Sequence, residues 1–172
     1  TEAGQHSSKF PDWRTPPALF AQLDQEFQFV LDAAADAQNK LCPHYFGPDH
    51  KDLSLRDALQ VDWAAHIGRL YQIVGILSRC AIFLNPPYSR EAKMPIEPWL
   101  EKAWAESQRG CTIVGVIPYS PQTLWWRRYV EGQEVIALKD FHAARETRKI
   151  PHRVTFLRPD GSVEGNAGGN TA

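Results

Sequence analysis

Ala81-Ile82-Phe83-Leu84-Asn85-Pro86-Pro87-Tyr88 decides the reading of this chain. Four consecutive apolar residues, too few for a helix, suit a strand buried on both faces of a sheet. The two prolines after Asn85 fix two φ angles and remove two backbone donors, so the strand must end there in a rigid loop. That loop offers one amide side chain, carbonyls without competing N–H groups, and one aromatic face. Together they suit a planar molecule that carries an exocyclic amino group.

Outward from this loop, strands alternate with helices. Thr15-Pro16-Pro17 reads as a helix start, with Thr15 as N-cap and Pro16 at the first helical position. Phe27, Phe29 and Leu31 alternate as in a strand, and Leu31-Asp32-Ala33-Ala34-Ala35 follows as a loop of small residues. Ile67, Leu70, Tyr71, Val74 and Leu77 predict a helix over Ala64 to Ser78. Thr112 to Ile117 is a second buried strand, Ser120-Pro121 opens a helix that runs to Glu131 and stops at Gly132, and Val135 to Leu138 and Val154 to Leu157 are further strands. The pattern predicts an α/β sheet, mostly parallel, whose ligands bind at the carboxyl ends of its strands. Asp32 and Asn85 each follow a strand. If those strands are adjacent, both residues belong to one cleft.

The chemistry open to such a loop follows from its groups. An aromatic amine is a weak nucleophile because its lone pair is delocalised into the ring. If the Asn85 side-chain oxygen and the Pro86 carbonyl accept from the amine, they stabilise the charge that develops on nitrogen as it attacks an electrophilic carbon. Tyr88 would stack on the ring, a contact worth roughly 1–3 kcal/mol.

Asn85-Pro86-Pro87-Tyr88 resembles the catalytic motif of amino-group methyltransferases that act on adenine in DNA. The resemblance extends to an ordered set: Asp12-Trp13-Arg14-Thr15-Pro16, Leu19-Phe20, Leu23-Asp24, Phe27, Leu31-Asp32-Ala33-Ala34, Asn39, Asp62-Trp63 and Asn85-Pro86-Pro87-Tyr88-Ser89 are similar to the landmarks of the phage-type (Dam-like) DNA N-6-adenine methyltransferases, over roughly Phe10 to Leu138. It implies a Rossmann-like S-adenosylmethionine-dependent fold with helices on both faces of the sheet. It also implies S-adenosylmethionine as cofactor, DNA as substrate, Asn85, Pro86, Pro87 and Tyr88 as catalytic residues, and Asp32, Ala33 and Ala34 as cofactor contacts flanked by Thr15 and Pro16. The bland alternative for Asp32 to Ala35 is a capped helix start, and for Thr15-Pro16 a plain helix N-terminus. The chain departs from the usual methyltransferase pattern, for no glycine stands in Asp32 to Ala37.

The interval from Asp32 to Asn85 is short for two strands and three helices, given strands of about 5–6 residues and helices of about 11–12. The expectation is therefore a sheet reduced from the full seven-stranded form, with irregular structure from Asn39 to Asp62. Asp57 is the carboxylate expected to meet the cofactor's adenosine and Asp62 the runner-up; either could be a solvated acid.

Length and charge set the remaining bounds. The 172 residues, 43% of them hydrophobic, suit one domain over residues 10–160, with a flexible start at 1–9 and a Gly/Asn-rich tail at 161–172. The net charge of −1 means that DNA must be held by a local patch. Lys139 to Arg158 has six basic residues against two acids, and Arg145, Arg148, Lys149 and Arg153, with Arg127 and Arg128, are the candidate phosphate contacts. An ordinary charged hairpin is the alternative. Trp125 and Trp126 could stack on an extruded base, although adjacent aromatics in a helix are more often core, and one of the pair must face outward.

Cys42, Cys80 and Cys111 have no C-x-x-C spacing, which fits a reducing cytoplasm, in a bacterial host or phage-infected cell by the resemblance. Cys42-Pro43-His44 lacks a second ligand pair, so no metal is expected. No apolar run is long enough to span a bilayer. The first residue, Thr1 rather than Met, suggests processing or trimming. Two rivals stay open: a methyltransferase for RNA or a protein glutamine amide, which the same acceptor loop would serve, and a non-catalytic nucleic-acid-binding relative, which the missing glycine would suit.

Overall fold

Ala81–Leu84 is a strand with all four side chains buried. The computed structural model describes residues 14–74, 81–88, 93–137 and 151–156. In chain order the strands are β1 Phe29–Asp32, β2 His44–Tyr45, β3 Ala81–Leu84, β4 Thr112–Pro118, β5 Glu134–Ala137 and β6 Pro151–Phe156. The helices are α1 Pro17–Phe27, α2 Trp63–Val74 and α3 Glu97–Gln108. The sheet order is β2-β1-β3-β4-β6-β5. β2, β1, β3 and β4 run parallel, whereas β6 pairs antiparallel with both β4 and β5. The chain is thus α/β, with a parallel sheet of four strands extended by an antiparallel pair.

Alternation along the strands divides the core in two. Ile82, Leu84, Ile113 and Ile117 pack with Trp63, Ile67 and Leu70 of α2 and with Leu100 and Ala103 of α3. Ala81, Phe83, Val114 and Val116 pack instead with Leu19, Leu23 and Phe27 of α1. Helices therefore cover both faces, and this is why β3 and β4 had to be apolar at almost every position.

β1 is less regular than its sequence suggests. Phe27 is the last residue of α1, and Gln28, left-handed at φ 55°, turns the corner. The Asp24 carboxylate accepts the Phe29 N–H at 2.7 Å. The register with β3 then shifts between Phe29 and Leu31, so Leu31 joins the cluster opposite to that of Phe29. The expected alternation through Phe27, Phe29 and Leu31 therefore fails: one residue is helical and the other two lie on opposite faces.

The start of α1 also differs from expectation. The helix begins at Pro17, with Pro16 in the cap position at ψ 134° and no side-chain cap bond. A residue that precedes proline is pushed out of the helical region, so Pro16, ahead of Pro17, cannot be the first helical residue. Thr15 is released from capping.

The other end of the core holds two surprises. α2 is seen over Trp63–Val74, and residues 75–80 of the expected span lie outside the described residues. Its start is capped twice, by Asp62 Oδ1 accepting from Ala65 N at 2.8 Å and by the buried Glu106 carboxylate accepting from Trp63 N at 3.3 Å and Ala64 N at 3.0 Å. Glu106 sits on α3, a helix the sequence reading did not anticipate, although Leu100, Ala103 and Ser107 stand at helical spacing. The expected helix from Ser120 begins only at Leu124 after a turn, and winds as a π-helix over Trp126–Val130 before stopping at Gly132, φ 88°. Between Asn39 and Asp62 the chain is mainly turns, as expected, apart from β2 and a short 3-10 turn at Leu53–Leu55. Among the described residues no helix is long and apolar enough to cross a membrane.

Candidate active site

β1 and β3 are neighbours, with Asp32 registered against Phe83. Both loops of interest therefore leave the same end of the sheet side by side. The bond from Ala33 N to Phe83 O, 2.9 Å, fixes the first loop to the strand that carries Asn85 two residues later. From the other side the segment after β2 holds it, by Phe46 N to Asp32 O at 2.9 Å and Ala35 N to Phe46 O at 3.0 Å.

The absence of glycine from this loop is met on the facing segment. A Cβ on Gly47 would stand 1.7 Å from the Ala35 carbonyl oxygen, so only glycine allows the two backbones this approach. The turn beyond is closed by reciprocal bonds, Asp36 N to Asn39 Oδ1 at 2.7 Å and Asn39 N to Asp36 Oδ1 at 2.9 Å.

Asp32 is 3% exposed. Burial pushes its carboxyl up to about 6, against the lowering effect of the Leu41 and Ala34 N–H groups, which it accepts at 3.2 and 3.3 Å. These two N–H groups offset only part of the cost of burying the charge. Cys42 is a free, buried thiol whose pKa is raised by burial and then by the Asp32 charge, so it stays protonated and inert.

Next to these residues lies a cleft of about 300 Å³, lined by Ala34, Ala35, Asp36 and Asn39 of the first loop, Phe46, Gly47 and Pro48 after β2, Arg56, Asp57 and Ala58, and Pro87 and Trp99. Of the residues predicted from sequence, Ala34, Asp57 and Pro87 line it. Thr15, Pro16, Asp32, Ala33, Asn85, Pro86 and Tyr88 are outside its lining. Asp57 is exposed and accepts from Leu59 N at 3.1 Å. Asp62 is engaged elsewhere: Arg109 donates to both of its oxygens at 2.8 and 2.9 Å and holds the carboxyl below its usual range. It caps α2 and is outside the cleft lining. Gly47, Asn39, Arg56 and Trp99 were not foreseen as lining; for Asn39 the spacing of an Asx turn after Asp36 was the available signal.

Asn85 is half-buried, and its Nδ2 donates to Thr15 Oγ1 at 3.1 Å. Pro86 is buried and Pro87 exposed. Tyr88 packs half-buried against the core, and burial raises its phenol. Trp126 is buried and Trp125 half-buried against the same core cluster, so neither ring is fully turned outward as one of the pair was expected to be. Arg127 and Arg128 are exposed, and Arg128 pairs with Glu97 at 3.0 Å. The backbone of Arg153 pairs with Val116 and Ile136. Arg145, Arg148 and Lys149, like the expected flexible ends, lie outside the described residues. Among the described residues no group of three or more His, Cys, Asp or Glu side chains could hold a metal ion.

The model of the DNA N-6-adenine-methyltransferase (Dam) family matches residues 5–171, nearly the whole chain. No curated protein and no solved structure matches it.

Proposed function

Because the chain belongs to the DNA N-6-adenine-methyltransferase (Dam) family, we propose that it transfers a methyl group from S-adenosylmethionine to the N6 amine of an adenine turned out of DNA. The observation that carries this reading is the pair of adjacent strand ends: the loops after Asp32 and Asn85 both contribute walls to one cleft. The sheet would then be a Rossmann-like methyltransferase sheet, with six strands among the described residues against seven in the full form.

The residues suit a cationic, adenosine-bearing cofactor. A buried carboxylate stands under the loop, and the small side chains of Ala34 and Ala35 let a ligand approach the backbone. Asp32 would balance the positive charge, Ala33 and Ala34 would meet the methionine part, Asp57 would accept from the ribose hydroxyls, and Pro16 would flank the ligand. When bound, S-adenosylmethionine supplies an electrophilic methyl group on a sulfonium.

Asn85 and the Pro86 carbonyl do the remaining work. Both accept from the adenine amine and favour the charge that grows on nitrogen, and Tyr88 stacks on the base. Extrusion of the base from a duplex is needed for this contact and costs a few kcal/mol. Arg127, Arg128, Arg145, Arg148, Lys149 and Arg153 would supply phosphate contacts.

Nucleoside mass spectrometry of DNA treated with the protein and cofactor tests the reaction, N6-methyladenine being the expected product. Asn85→Ala should keep cofactor affinity within a few-fold and lose on the order of a hundredfold in turnover. Asp32→Ala should fail at cofactor binding. Methylation of RNA or of a protein amide instead of DNA would redirect the assignment, and a chain that binds no cofactor would be the non-catalytic relative.

A further inference from the structure

We infer that Thr15 is a positioning residue for Asn85: its hydroxyl accepts from the amide nitrogen and anchors the side chain in the pose in which its oxygen meets the substrate amine. The inference rests on the reading of Asn85 as an acceptor. A side-chain amide has two limbs of nearly equal shape and opposite polarity. Turned one way it offers oxygen to an incoming amine; turned the other it sets one donor against another. A hydroxyl can accept from the nitrogen or donate to the oxygen, so Thr15 holds the amide in place, and the sense seen here, nitrogen to hydroxyl, is the one an acceptor oxygen requires.

Thr15 Oγ1 accepts from Asn85 Nδ2 at 3.1 Å, a bond between residues 70 apart in sequence. With its nitrogen committed to Thr15, the amide directs its oxygen along the other limb of the fork. Thr15 is 6% exposed, so water competes poorly for this bond.

The surroundings keep the pair in register. Pro16 fixes the backbone after Thr15, and its carbonyl accepts from Phe20 N at 3.0 Å, tying Thr15 to the first turn of α1. α1 packs through Leu19, Leu23 and Phe27 in the same cluster as Ala81 and Phe83 of β3, the strand that leads into Asn85. Donor and acceptor are thus carried by elements packed directly on one another. Thr15 can serve in this way because Pro17 moves the helix start beyond it and leaves its hydroxyl no capping role.

Thr15→Val removes the acceptor and keeps the shape, while Thr15→Ser keeps the acceptor. Turnover and KM on adenine-containing DNA, cofactor affinity, urea stability and the Asn85 side-chain NH2 resonances of asparagine-labelled protein are measured for both. For Thr15→Val we expect turnover to fall on the order of tenfold, with KM for DNA within about threefold and the Asn85 resonances displaced. Thr15→Ser should restore turnover and resonances together. Normal turnover in Thr15→Val, or a Thr15→Ser variant as impaired as Thr15→Val, overturns the positioning role and leaves Thr15 a packing residue. A wild-type chain that methylates no adenine, or an Asn85→Ala variant of normal turnover, sinks the acceptor reading itself and the positioning role with it.

Discussion

Asp32→Asn measures what it costs to keep a carboxylate buried beneath the loop that follows β1. Burial raises this group from an ordinary 3.8 to about 6. Between those values the folded chain holds a proton that the unfolded chain has released, so stability falls as pH rises through this window. The two-unit difference amounts to about 3 kcal/mol of stability, fully present below pH 4 and lost as pH rises through 6. Acid unfolding would obscure the low end, yet about 1.4 kcal/mol of the change remains between pH 5 and 8, about 1 kcal/mol of it by pH 6.

Asparagine does not titrate here. It also cannot accept from both Leu41 N and Ala34 N, which adds a constant offset that pH does not alter. The difference between wild type and variant as a function of pH therefore isolates the carboxylate. Urea unfolding of the cofactor-free proteins at pH 5, 6, 7 and 8 should show wild type losing about 1.4 kcal/mol relative to Asp32→Asn, or roughly 3–6 °C in Tm for a chain of this size. Cofactor affinity should move in the opposite sense, weakening in wild type below pH 6 as the carboxyl protonates. Parallel stability profiles across pH 5–8 would refute the raised carboxyl, and with it the idea that stability is sacrificed here for charge.

Other perturbations test neighbouring steps. Gly47→Ala should cost at least about 2 kcal/mol in urea unfolding and weaken cofactor binding, because the new Cβ meets the Ala35 carbonyl oxygen at 1.7 Å and carbon at 2.8 Å, both backbone. Glu106→Ala should cost about 3 kcal/mol by the same measure, since it strands the Trp63 and Ala64 N–H groups and removes the partner of Lys102 and Arg109. Neutralising Arg145, Arg148 and Lys149 together should weaken DNA binding for all sequences and lower its salt slope by about 3 in fluorescence anisotropy; unchanged affinity at low salt would make those charges an ordinary surface.

What could be read without coordinates is what one segment's covalent chemistry dictates by itself. Ala81–Leu84 was legible because a strand covered on both faces is apolar at almost every position, and β4, polar only at its first residue Thr112, for the same reason. α3 was not, because its inward face includes Ala103, Glu106 and Ser107, and Glu106 is there to serve the start of another helix. β2 was missed because two residues carry no periodicity; what fixes it is the Asp32 carbonyl bonded to Phe46 N. The missing glycine was sought within the loop, whereas the close approach is made from Gly47, across a strand pairing that no local pattern announces.

The meeting of Thr15 and Asn85 stands between these cases. Thr15-Pro16-Pro17 and Asn85-Pro86-Pro87 are the same local phrase, a polar residue followed by two prolines. In each, the first proline bars the polar residue from helical geometry and the second bars the first proline. Applied to Asn85, this rule predicted a rigid loop that presents a side chain. Applied with equal strictness to Thr15, it would have moved the helix start to Pro17 and presented a hydroxyl in the same way. That the two side chains then bond across 70 residues depends on α1 packing against β3, a tertiary contact carried by Leu19, Leu23 and Phe27. The availability of both groups was written locally; their encounter belongs to the fold.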